Sequence, residues 1–209
     1  MKNLINSFFV IIFISFSFHL TAQFGVRAGV NLTNLSVDPE AEPFSYGTKL
    51  GFGVGVFYKL RAGENLTIQP ELNFMQHGSK AEIDNLGEIT EVDISFNYLQ
   101  VPVLFKYGFG NMEATNFFVQ AGPYVGMGIG NVVTDACLNG DCQEDEVSYG
   151  DGDDEPKNPD YGVQLGAGVN INANISADAR YILGLANFSN VEGQSAKHTG
   201  INISVGYSF

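Results

Sequence analysis

After residue 22 this sequence has no apolar run near the roughly 20 residues that a membrane-spanning helix needs, so a helical bundle in lipid is excluded. Basic residues are scarce. Ten Lys and Arg stand against 23 Asp and Glu, a formal charge of −13, and no basic stripe exists for a nucleic-acid partner. The only cysteines are Cys137 and Cys142, and no histidine lies near them. A multi-bridge scaffold and a thiolate metal site are therefore both out of reach. In an exported chain, such a pair is expected to close a small disulfide loop.

What is present begins with MKNLINSFFVIIFISFSFHLTAQ: one lysine, a run rich in Phe and Ile, and Ala22 before Gln23. That layout predicts a secretory signal peptide over residues 1–22, leaving one domain over 23–209. An uncleaved helical anchor is the other reading, disfavoured by Ser7, Ser15, Ser17 and His19 and by the lack of a basic stop-transfer cluster. The rest repeats one pattern, segments of period two separated by polar stretches, which means strands. FGVRAGVNL, TKLGFGVGVFYKL, NLTIQPELNFM, VDISFNYLQVPVLFKYGF, NFFVQAGPYVGMGIG, YGVQLGAGVNI, ISADARYIL and TGINISVGYSF make eight. In the fourth the apolar parity switches, which predicts a β-bulge near Tyr98 and Leu99. Long polar stretches at 33–46, 77–91, 131–160 and 184–198 alternate with short ones at 61–64, 110–115 and 172–174. Long loops on one side and short turns on the other predict an all-β fold, an eight-stranded antiparallel up-and-down transmembrane β-barrel.

The parity of the charges sets the orientation. Arg27, Lys49, Lys59, Glu71, Lys106, Asp178 and Arg180 all oppose the apolar set. An eight-stranded barrel holds little more than its own side chains, so the small, polar face belongs inside and the large apolar face in lipid. Phe24, Tyr58, Tyr107, Phe117, Tyr207 and Phe209 are expected to form an aromatic girdle at the short-turn end.

Several segments, among them FGVRAGVNLTNLS, LTIQPELNFMQHGSKA, NYLQVPVLFKYGF, FFVQAGPYVG, DARYILGLANFS and the terminal INISVGYSF, are similar to the PorT-like family of small outer-membrane β-barrels of the Bacteroidetes. The resemblance runs along the whole mature chain. It implies localisation in a bacterial outer membrane and delivery by the barrel-assembly machinery, with Phe209 as the terminal aromatic that machinery recognises. The family's named example serves protein secretion, a role that fold alone does not transfer.

Inside the barrel, Arg27, Lys49, Lys106 and Arg180 are expected to meet Glu71 and Asp178, as a packed polar plug or, alternatively, along a narrow conduction path. The plug is favoured because so small a barrel leaves little room for water. His77 followed by Ser79 suggests a hydrolase pair, but no acidic partner can be assigned, and both His77 and His198 read as residues at strand ends. The glycine runs GFGVGV and GMGIGN do not join a strand to a helix and carry no nucleotide site. Ten acidic residues lie between 135 and 160, opposed only by Lys157. They predict a solvated extracellular loop, with Ca²⁺ binding at Asp151, Asp153 and Asp154 or docking of a basic partner as sharper readings. No other cofactor is expected. The function these features suggest is a non-enzymatic structural or interaction component that displays loops outside the cell, in contact with outer-membrane lipid and other envelope proteins. The alternatives are an accessory of a protein-secretion or envelope-assembly system, or a narrow channel.

Overall fold

The alternation seen in the sequence becomes strand after strand. The computed structural model describes residues 22–38, 44–85, 88–110, 115–138, 141–150, 152, 155–191 and 193–209. In chain order the strands are β1 (Ala22–Asp38), β2 (Phe44–Arg61), β3 (Leu66–Asn85), β4 (Glu88–Phe109), β5 (Asn116–Gly128), β6 (Asn131–Leu138), β7 (Asp141–Ser148), β8 (Asp160–Asn170), β9 (Ile175–Gly184) and β10 (Ser195–Ser208). Every pairing is antiparallel. The eight segments of the sequence pair in a ring, β1-β2-β3-β4-β5-β8-β9-β10, and β10 returns to β1. Closure leaves no open ladder within the ring, which is what hydrocarbon demands of a sheet. The expected signal peptide falls, apart from Ala22, outside the described residues.

Parity sorts the side chains as the charges require. Arg27, Glu71, Lys106, Asp178 and Arg180 are each no more than 8% exposed, whereas Val54, Leu72 and Ile203 are 45–51% exposed on the outside. The girdle residues Phe24, Tyr58, Tyr107, Phe117, Tyr207 and Phe209 are all exposed. Phe209 stacks on Phe24 at 6.0 Å, and its N–H donates to the Phe24 carbonyl at 2.9 Å, so the chain end is seated on the first strand.

Three expectations need correction. First, the stretches 33–46 and 77–91 are mostly strand: β3 and β4 run for 20 and 22 residues, roughly twice the 9–11 that a bilayer requires. Polar residues fill the projecting parts because water, not lipid, surrounds them. Second, the region 131–160 contributes β6 and β7, a hairpin outside the ring. Cys137 and Cys142 sit opposite each other in it and are disulfide-bonded. Its β-branched residues Val132, Val133 and Thr134 outweigh the acidic composition locally, and Val132 is buried against Phe96 and Leu35. Third, β4 carries no bulge at Tyr98 and Leu99; its register with β3 is continuous from Gln100 to Glu88. The irregularity lies on the other side. Between the pairs Tyr98–Gly128 and Ser95–Val133, β4 advances three residues while its partner advances five. Gly130, at φ +70°, takes up that excess, and β4 changes partner there from β5 to β6. Phe96 and Tyr98 therefore stay inside.

Small residues make the interior possible. Gly55 lies opposite Arg27, and a Cβ added there would collide with Asn73 Oδ1 and stand 2.6 Å from the Leu72 carbonyl. Gly55→Val is expected to cost about 1–3 kcal/mol of stability by overpacking. Urea unfolding in neutral detergent measures it, with lipid-facing Val54→Leu as a control expected within about 0.5 kcal/mol of the parent.

Candidate functional site

The interior is a column of three layers, built by inward residues of consecutive strands. At its centre, Glu71 on β3 accepts five hydrogen bonds. Arg27 Nη1 donates to Oε2 at 2.7 Å, and Arg180 forks onto both oxygens, Nη1 at 2.8 Å and Nη2 at 3.0 Å. Gln69 and Asn73, two residues to either side, donate at 2.6 and 2.8 Å. Asp178 accepts from Arg180 Nε at 2.7 Å and lies 3.4 Å from Arg27 Nη2. Arg27 also donates to Asn202 Oδ1 at 3.0 Å and to Ser204 Oγ. Two guanidiniums and two carboxylates from β1, β3 and β9 thus form one neutral knot. Such a knot is tolerable out of water only because nearly every donor and acceptor is taken.

Of the other two lysines expected in the network, Lys49 lies apart from the knot and Lys106 joins it through Gln69. Lys49 is six residues above Gly55 along β2, at the long-loop end, where its Nζ donates to Ser95 Oγ at 2.8 Å and sits 3.5 Å from Asp93. Lys106 lies on the short-turn side, donating to Gln69 Oε1 at 3.2 Å, with its amine 4.0 Å from the centre of the Phe118 ring. Lys106 faces a cavity of about 30 Å³ that Lys59, Arg61, Thr67 and Asn170 also line.

Above the knot the column becomes aromatic, a layer that parity alone concealed. His198 is fully buried, not a rim residue: its ring stacks on Phe188 at 4.6 Å, and its Nε2 is 3.1 Å from the Tyr98 hydroxyl. The reason is that β10 continues past the apolar belt and the connection after β9 folds Phe188 back over it. His77 is equally enclosed within β3, where the Gln100 amide donates to its Nε2 at 3.0 Å. The Ser79 hydroxyl lies 2.9 Å from both Asn34 Oδ1 and the Gly47 carbonyl, so serine and histidine are engaged with other partners. Tyr124 donates to Asp160 at 3.1 Å. No sequence motif marks this layer; the signal was the run of inward aromatics Phe96 and Tyr98, once the strand is taken as regular.

At the long-loop end two segments are clamped together. Asn190 Nδ2 stands 3.0, 3.0 and 2.7 Å from the carbonyls of Gly150, Gly152 and Glu155, and Lys157 Nζ donates to the Ser189 carbonyl at 2.9 Å. Tyr149 donates to the Asn97 carbonyl at 3.3 Å; burial pushes its phenol up to about 12, so it remains a donor at any physiological pH. The acidic positions Asp151, Asp153 and Asp154 lie outside the described residues, and among the described residues no cluster suited to a metal ion occurs.

Glu71→Gln removes the counter-charge of two enclosed guanidiniums and is expected to cost about 3–5 kcal/mol, against under about 1.5 kcal/mol for lipid-facing Leu72→Met. Denaturant unfolding in lipid vesicles measures the difference.

Among solved structures, the chain is similar to several outer-membrane proteins. The outer membrane protein OprG from Pseudomonas aeruginosa is 13% identical, with 91% of this chain and 97% of that one covered and a TM-score of 0.49. Neisserial surface protein A is 14% identical over 90% and 99% of the two chains, with a TM-score of 0.46. The attachment invasion locus protein Ail of Yersinia pestis is 13% identical over 90% and 99%, with a TM-score of 0.45. No curated protein is a significant match. The family model described as the outer membrane protein beta-barrel domain matches residues 14–190, most of the chain. With its closed antiparallel ring, greasy outside and ionic inside, the chain belongs to the outer-membrane protein β-barrel family and resides in the outer membrane.

Proposed function

We propose that this protein is an eight-stranded transmembrane barrel of PorT-like type that works without catalysis, as an interaction component presenting its long-loop end outside the cell. One observation carries the reading: the ionic knot and the aromatic layer above it cross the interior, while β3, β4 and the β6–β7 hairpin project beyond the apolar belt. A knot of paired charges spanning the interior opposes conduction, and projecting strands offer surface to a partner. β7 pairs only with β6 among the described residues, and its exposed side chains include Glu144, Asp145 and Glu146. The partner this favours is a basic one. In this reading residues 1–22 direct export, Phe209 serves recognition by the barrel-assembly machinery, and bilayer lipid covers the apolar belt. A role as an accessory of a secretion or envelope-assembly system is the same proposal with an envelope protein as the partner. Ca²⁺ at Asp151, Asp153 and Asp154 is a separate proposal, tested by calorimetry on the protein and its triple Asn variant.

Two measurements test the proposal. In planar bilayers the purified protein is expected to give no stable open channel; steady selective conductance abolished by Glu71→Gln would replace the plug by a pore. Cross-linking and affinity capture from native outer membranes are expected to lose a specific partner when 131–148 is replaced by a short turn, with barrel assembly unchanged. An identical set of captured proteins from both forms would remove the hairpin from the proposal.

A further inference from the structure

We propose that β7 is an acceptor edge, onto which an extended basic segment of a partner protein adds as one further antiparallel strand. The inference rests on the reading that the hairpin meets a basic partner, and it supplies the mode of recognition. It starts from the pairing of the sheet. β6 is paired on both sides, to β4 over 133–137 and to β7 along its whole length. β7 ends the strand order and is paired on one side. Among the described residues, no backbone hydrogen bond reaches its other side.

The cysteine pair reveals which backbone groups that side presents. In an antiparallel ladder, facing Cα atoms are about 5.5 Å apart where two residues exchange hydrogen bonds and about 4.5 Å apart where they do not. Cys137 and Cys142 face each other with Cα atoms 4.1 Å apart, so they form a pair of the second kind. Alternation gives Glu144 and Glu146 the same setting, opposite Asp135 and Val133. The N–H and C=O groups of Cys142, Glu144 and Glu146 therefore point away from β6, toward the unpaired side. Gln143, Asp145 and Val147 direct theirs at β6.

Composition then selects the occupant. Natural sheet edges are commonly blunted by proline, lysine or a bulge. β7, DCQEDEVS, has neither proline nor lysine, and its register with β6 is continuous. Gln143, Glu144, Asp145 and Glu146 are all exposed. A second copy of β7 would set carboxylates against carboxylates, which opposes self-pairing. A strand with lysine or arginine at alternate positions instead places those residues directly across from Glu144 and Glu146, whose backbone groups are the open ones. Each such position couples a pair of backbone hydrogen bonds to a pair of opposite charges. The Cys137–Cys142 bond ties β7 to β6, so the edge is held in place before a partner arrives.

The test uses the whole protein in phosphatidylcholine nanodiscs and, as probe, a short acetylated peptide alternating threonine with lysine. A comparison peptide is N-methylated at every lysine, which keeps the charge and removes the donors that would face β7. In the protein alone, amide hydrogen exchange is expected to be fast at Glu144 and Glu146 and slow at Asp145 and Val147. The unmethylated peptide is expected to slow exchange at Glu144 and Glu146 and to bind at least tenfold more tightly than the methylated one. Glu144→Pro removes an edge donor while leaving the bonds to β6 in place, which continued slow exchange at Asp145 and Val147 verifies. It is expected to weaken binding at least tenfold, against about twofold for Glu144→Gln. Slow exchange at Glu144 and Glu146 in the protein alone overturns the proposal. Equal binding of the two peptides, or equal weakening by the Pro and Gln variants, overturns strand addition and leaves docking of a basic partner by charge standing. Binding of neither peptide removes both.

Discussion

One carboxylate shared by two guanidiniums organises this molecule. Glu71 joins β3 to β1 through Arg27 and to β9 through Arg180, strands that are not all neighbours in the ring. The backbone ladder fixes each strand only against the next. The knot adds ties across the diameter, so it opposes flattening of the ring in a way that the ladder cannot. It needs glycines around it, because long side chains from one wall occupy the space that side chains of the facing wall would otherwise fill. Gly55 opposite Arg27 and Gly166 opposite Arg180 are the residues that give way.

The same constraint divides the barrel lengthwise. Below the knot the interior is cationic and contains free volume. Above it the interior is aromatic, with His198 in contact with both Tyr98 and Phe188. The change follows from the surroundings of each level. In the bilayer the outside takes most of the large apolar residues, and polar and ionic groups fill the inside together with a few apolar ones such as Phe57, Leu104, Phe118 and Ile182. Beyond the bilayer the outside is water, so apolar residues turn inward and build a small core of the soluble kind.

That reversal explains what the sequence could reveal. Within the lipid belt, period-two alternation and charge parity were enough to orient every strand and to place Arg27, Glu71, Asp178 and Arg180 on one face. Above the belt, inward Phe96 and Tyr98 broke the parity and imitated a bulge, which the regular register of β4 removes. Lys49 was assigned to the right face but the wrong height, because parity fixes direction and says nothing of depth. Depth follows only from register, and register depends on turn geometry that composition does not carry. The β6–β7 hairpin was hidden for a further reason: its acidic side chains are those of a loop, while its strand character rests on a few valines and on pairing to β4.

The length of β3 and β4 has a mechanical meaning. Beyond Leu72, the last exposed large apolar residue described on β3, thirteen more residues of that strand remain. At about 3.3 Å per residue and a tilt of roughly 40°, they carry the tip ~30 Å beyond the level of Leu72. That β3–β4 hairpin is flanked by β2 as far as Ile83 and by β6 from Glu91 to Ser95, so the projection is a broad sheet, stiff along its axis. Anything that meets its tip does so at a stand-off distance set by the length of these strands.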